Sequence, residues 1–283
     1  MPKHLVITAD DFGLSPEIND AVEQAHLHGV LTAASLMVGA PATADAVARA
    51  RRLPNLRVGL HLVLVEARPL LPPAEVPGLV DHHGRFRVDT AAYGAAIFFS
   101  PARRRQVRAE VAAQFEAFRR TGLVLDHVNA HRHFHLHPVI AGAMIAIGRD
   151  HGMRAVRLPA EPSRLTGAID PAAPRFLPAV VRPWTAMLGR KLRAAGMMVP
   201  DQVFGLAWTG AMTGERIAAV VDRLPEGLTE IYTHLATAGA FAGAAPGYRY
   251  VEELAGLLSP EVRAAVARSG ASLGGFLDAP PRG

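Results

Sequence analysis

Short apolar runs alternate with amphipathic stretches along most of the chain. Leu5-Val6-Ile7-Thr8-Ala9 reads as a strand, ending where Asp10-Asp11-Phe12-Gly13 brings polarity and glycine. A helix is predicted directly after it. Ser15 can cap it, Pro16 suits the first helical position, and Ile18, Ala21, Val22 and Ala25 recur at helical spacing until Gly29. The same alternation predicts strands at 34–38 and 56–64 around a helix at 43–52. A proline-rich insertion at 68–77 leads to an irregular stretch. Beyond it, Val107, Val111, Phe115 and Phe118 mark one face of a basic amphipathic helix ending at Gly122. Further strands are expected at 123–129, 155–158, 203–207, 228–233 and 272–277, with helices at 215–223 and 248–258.

Strands separated by helices imply right-handed crossovers and a parallel sheet. About eight such strands favour an α/β fold closed, or nearly closed, into a distorted or incomplete (β/α) barrel; an open doubly wound sheet is the competing arrangement. Nothing in the pattern divides the chain, so one domain over 1–283 is expected. Both arrangements place a site beyond the carboxyl ends of the strands, where Asp10, Asp11, His61, the 131 region and His234 fall.

The composition narrows the chemistry. The chain has no cysteine, which excludes disulfides, thiolate ligands and cysteine nucleophiles and leaves His, Asp and Glu as metal ligands. Six of its 13 histidines, His127, His131, His133, His135, His137 and His151, lie within 25 residues, a cluster that points to metal. The basic residues are dispersed and only 6% of residues are aromatic, so nucleic acid is not an expected partner. No apolar leader follows Met1, and no apolar run reaches the roughly 18 residues of a membrane span. A cytoplasmic protein is expected, with peripheral contact at the inner membrane face left open.

Each candidate admits two readings. Asp10 and Asp11 can bind metal and accept a proton, or form a turn and cap a helix. His61, inside the apolar run Val58-Gly59-Leu60-His61-Leu62, is either a ligand or a core histidine bonded to a carbonyl. Gly59 beside it permits a close approach of backbone or ligand. In His131-Arg132-His133-Phe134-His135-Leu136-His137 the histidines would share one face if extended; one or two can bind metal while the rest shape a pocket. His234 ends a strand, and Glu230, four residues earlier, could orient its ring. The segment 175–184, with Met187, Leu188, Arg190, Lys191, Leu192 and Arg193, combines Trp184, aliphatics and basic charge, as either an interfacial segment or an ordinary barrel helix would.

Thr8-Ala9-Asp10-Asp11-Phe12-Gly13, Gly59-Leu60-His61-Leu62, Asn129-Ala130-His131-Arg132-His133-Phe134-His135 and Tyr232-Thr233-His234 together resemble the YdjC-like carbohydrate deacetylases. Within that family, His127 to Pro138 and Arg157-Leu158-Pro159-Ala160-Glu161-Pro162 are most similar to the hopanoid-biosynthesis-associated branch. The resemblance implies a barrel of the glycoside hydrolase/deacetylase type and a hydrolase that removes the acetyl group from N-acetylglucosamine. It implies a divalent metal, Mg2+ or Zn2+, on Asp11, His61 and His131, with Asp10 as general base and His234 acting on the leaving amine. Leu235 stands where the family has proline after that histidine, and Asn129 where chitooligosaccharide-acting relatives have Asp. The hopanoid likeness implies a lipid-linked sugar substrate; a homodimer is compatible with it. The alternatives are a chitooligosaccharide deacetylase and a non-catalytic sugar- or lipid-binding barrel.

Overall fold

The computed structural model describes residues 2–173 and 176–280. Its first half runs β1 (Lys3–Phe12), α1 (Pro16–His28), β2 (Ala33–Leu36), α2 (Thr43–Arg52), β3 (Arg57–Leu62), α3 (Thr90–Phe99), α4 (Pro101–Arg120) and β4 (Leu125–Ala130). A 3-10 turn, His131–Leu136, follows, and then α5 (Pro138–Asp150), α6 (Ser163–Ile169) and α7 (Phe176–Ala194). The chain closes with β5 (Gln202–Phe204), α8 (Gly214–Val221), β6 (Gly227–Thr233), α9 (Tyr250–Leu258), α10 (Pro260–Ser269) and β7 (Ser272–Leu273).

The strands form one parallel sheet in the order β4-β3-β2-β1-β6-β5, with β7 beside the start of β1. Apolar side chains of every long strand are buried on both faces, because helices cover the outside and the interior is filled. The expected incomplete barrel is therefore the fold, and the doubly wound alternative is not. Its two ends, β4 and β5, do not pair directly. The strand predicted at 155–158 lies between them and makes only isolated bridges, Val128 to Val156 and Ala155 to Met198. The strand predicted at 272–277 shortens to two residues before a 3-10 turn at Phe276–Asp278.

Side chains from α4 fix the loop after β3. Gln114 bonds both the N–H and the carbonyl of Val63, and the buried Glu110 accepts the N–H groups of Leu70 and Leu71. Of the predicted interfacial segment, Arg175 and the side chains of 176–181 lie outside the described residues; the remainder belongs to α7. No helix among the described residues is long and apolar enough to cross a membrane.

Candidate active site

The register of β1 against β2 slips between Ala9 and Phe12, and Asp11 takes a left-handed φ of 62°. A regular strand would send adjacent residues to opposite faces; this bulge turns Asp10 and Asp11 towards one pocket. His61 comes from β3 and puts Nε2 3.3 Å from Asp11 Oδ1. His131, the first residue past β4, puts Nδ1 3.2 Å from the same oxygen and 3.4 Å from His61 Nε2.

The outer nitrogen of each ring faces an oxygen. His61 Nδ1 donates to Asn129 Oδ1 at 2.6 Å, and His131 Nε2 lies 3.3 Å from Glu66 Oε2. Protons held there leave the inner nitrogens as lone-pair donors. Asp11 Oδ1 is buried and makes no hydrogen bond. Three ligand atoms within 4.8 Å of one another, one an otherwise unsatisfied carboxylate oxygen, fit a divalent cation. Without a cation, burial would raise the Asp11 carboxyl, but His131 and His61 outweigh it and hold it well below the carboxylate range. Burial likewise opposes a charge on His131, yet Asp11 and Glu66 push it up to about 10.

Asp10 has a different environment. The buried Arg157 donates to both its oxygens and Asn129 Nδ2 donates to Oδ1 at 3.0 Å. Burial raises the Asp10 carboxyl, but Arg157 dominates and keeps it ionised far below its ordinary value. On its other side Arg157 binds Glu230, at 2.7 Å through Nη2, and its guanidinium lies 4.4 Å from the Tyr232 ring centre. Glu230 therefore does not orient His234: as an inward residue within β6 it pairs with Arg157 and accepts from Thr8 Oγ1 at 2.9 Å.

The histidine run is not extended. Arg132 and His133 both adopt left-handed φ, 55° and 52°, and coil the segment into the turn. Its rings then go to four places: His131 to Asp11, His133 to the Tyr232 hydroxyl at 3.1 Å, and His135 and His137 to the carbonyls of Arg157 and Gly94. Beyond β6, the His234 ring meets Tyr232 and Tyr248 edge-on, and its buried Nδ1 has no partner. Burial keeps its pKa below the usual imidazole value, with Asp10 and Asp11 pulling the other way. Glu253 accepts the His234 backbone N–H and so holds the turn that carries Leu235.

The YdjC-like protein model matches residues 4–268. The chain belongs to this family. A carbohydrate deacetylase of Geobacillus stearothermophilus is 32% identical over 277 residues, 96% of each chain. One from Vibrio cholerae serotype O1 (strain M66-2) is 36% identical over 147 residues, 52% of this chain and 56% of the relative. Among solved structures, a protein of Enterococcus faecalis V583 described as a cellobiose-phosphate cleavage protein superposes with a TM-score of 0.77 at 25% identity, covering 98% of both chains.

Three side chains of this YdjC-like protein carry the site although its sequence assigned none of them a role. Arg157 had a usable signal, a guanidinium within the otherwise apolar stretch Ala155-Val156-Arg157-Leu158, where a buried charge requires carboxylate partners. Glu253 had none, because one carboxylate on an amphipathic helix looks like any solvated residue. Nor had Glu66, whose role depends on loop geometry.

Proposed function

We propose that this YdjC-like protein is a carbohydrate deacetylase that hydrolyses the acetamide of an N-acetylglucosamine unit, with one divalent cation, Mg2+ or Zn2+, on Asp11, His61 and His131. The observation that carries the reading is the unsatisfied Asp11 Oδ1 facing two imidazole nitrogens at the strand tips. A cation bound there would acidify a coordinated water and polarise the acetyl carbonyl. Asp10, kept ionised by Arg157, accepts the proton as the water oxygen attacks the carbonyl carbon. Its low pKa makes it a weak base that stays deprotonated across the working pH range. The C–N bond then breaks, acetate leaves, and His234 delivers a proton to the sugar nitrogen. Burial lowers the His234 pKa, so its protonated form gives up a proton more readily than an ordinary imidazolium, which suits this donation.

The acceptor we propose is lipid-linked, of the hopanoid type, reached by peripheral membrane contact. Supporting it, Phe98 and Phe99 are 42% and 78% exposed at the α3–α4 corner, and Trp184 is 47% exposed on α7. From 90 to 109 there is no carboxylate but there are four arginines, one of them, Arg104, lying over the Phe98 ring. Aromatics beside cations suit an anionic bilayer. Phe98 also packs on His137, the last histidine of the run that begins at the proposed ligand His131.

Acetate release from N-acetylglucosaminyl hopanoid and from diacetylchitobiose, with and without chelator, tests the chemistry. The expected results are loss with chelator, recovery with Zn2+ or Mg2+, and a fall of about 10²–10⁴-fold in Asp10→Asn. Full activity after chelation overturns the cation; preference for diacetylchitobiose overturns the lipid acceptor. Flotation with phosphatidylglycerol vesicles should carry the wild type and lose a Phe98→Ser/Phe99→Ser variant, and equal flotation of both would remove that face.

A further inference from the structure

Buried hydrogen bonds leave the site in the direction of the strand starts. Asn129 Nδ2, besides its bond to Asp10, donates to Ser35 Oγ at 2.8 Å; Ser35 Oγ lies 2.9 Å from His127 Nε2, and His127 Nδ1 lies 2.9 Å from Asp126 Oδ2. Asp126, Ser35, His127 and Asn129 are all buried. His127 is on β4 and Ser35 on β2, with β3 between them. The ring reaches across because β3 has Gly59 there, where a Cβ would lie 2.5 Å from the imidazole. Phe276 stacks on the ring at 4.6 Å, and its backbone N–H, like that of Leu277, donates to the Asp126 carboxylate.

We propose that Asp126, His127 and Ser35 are positioning residues which, through Asn129, determine which nitrogen of His61 carries the proton. Each bond then has one permissible direction. Burial raises the Asp126 carboxyl, but His127 and the N–H groups of Phe276 and Leu277 outweigh it and keep it ionised, so His127 Nδ1–H donates, and in the neutral ring Nε2 is an acceptor. Ser35 must give its hydroxyl proton to Nε2 and accept from Asn129 Nδ2. The second amide hydrogen goes to Asp10 Oδ1. Asn129 Oδ1 is left facing His61, which must be protonated on Nδ1 and bare on Nε2, the nitrogen beside Asp11. Asp126 at one end and Asp10 at the other favour the same orientation, and together they exclude the reverse one. In the reverse arrangement the Asn129 oxygen faces Asp10 and His61 presents Nε2–H to Asp11 and His131, closing the position to a cation.

The consequence for cation binding rests on His61 being a ligand; the tautomer does not. Nitrogen-15 NMR of the ion-free protein, with His61 assigned by the signal lost in His61→Gln, should show Nδ1–H and a bare Nε2. Ser35→Ala and the isosteric Asp126→Asn should give mixed tautomers and weaken the zinc Kd by about tenfold or more, within the range for outer partners of metal histidines. Circular dichroism and Tm identify variants that fold. An Nε2–H tautomer in the wild type overturns the proposal without any variant, as do folded variants with unchanged tautomer and Kd. A wild type that binds no zinc, yet shows the set tautomer lost in the variants, refutes the ligand reading and supports the chain.

Discussion

Asp11, Glu66, Arg132 and His133, the four non-glycine residues with positive φ among those described, all lie at the site. Left-handed backbone is costly for such side chains and persists where the surroundings impose it. Here each instance aims a group: Asp11 into the pocket, Glu66 between His131 and Arg132, and the Arg132–His133 pair so as to separate the rings of the run. The resulting carboxylates around His131 give a pH signature. Because its folded pKa is raised from 6.5 to about 10, the protonated ring stabilises the ion-free fold fully below about pH 6.5 and progressively less as pH rises towards 10. A cation requires the bare nitrogen, so its affinity changes in the opposite sense, rising over the same window with release of a proton. Thermal melts of chelated and zinc-loaded protein from pH 6 to 10 should therefore diverge, the chelated form losing Tm. Parallel curves would mean that His131 does not carry the proton.

At the scale of elements, legibility followed local signals. The β1–α1 unit was readable because apolar period and capping agreed, Ser15 accepting from the Ile18 N–H as its position predicts, whereas the helix at Thr43–Arg52, capped by no side chain, was readable from its pattern alone. Ser259–Pro260 repeats that signature at the start of α10, so this helix too was written in the chain. The stretch 155–158 was misleading: it has strand composition, but Arg157 must reach Asp10 and Glu230, and its segment bridges two sheet edges instead of pairing as a full strand. The His run has the period of a strand, yet two left-handed residues that composition does not signal coil it. Gly59 was read as a place of close approach, and what approaches is the ring of His127. Gly59→Ala should consequently overpack the β3–β4 pair, costing roughly 1–3 kcal/mol. Urea denaturation measures this, and a wild-type midpoint would show that His127 can move aside freely.

For the whole molecule the sheet order has a mechanical consequence. β1 is held by β2, β6 and β7, whereas among the described residues β4 and β5 are joined through the irregular 154–160 seam. Backbone bonds at the seam are few: Val128 to Ala155 and Arg157 to Val128 on one side, and Val156 to Met198, Met198 to Arg154 and Val203 of β5 to Ala160 on the other. What ties the seam to the centre is Arg157, whose guanidinium binds Asp10 of β1 and Glu230 of β6. Replacing it leaves two buried carboxylates without their cation, a loss of about 3–5 kcal/mol by the usual cost of breaking a buried pair. Asp10→Asn should cost less, because it leaves Arg157 and Glu230 as a neutral pair. Hydrogen exchange distinguishes local from global effects: in Arg157→Met the amides of Val156, Met198 and the substituted position should exchange faster well before those of Val6 and Ile7 in β1. The seam would then open independently, and the residue that keeps the proposed base ionised would also be the fastening of the barrel. Acceleration spread evenly over β1 and the seam would instead mean that the sheet opens as one unit and that Arg157 has no special hold on its gap.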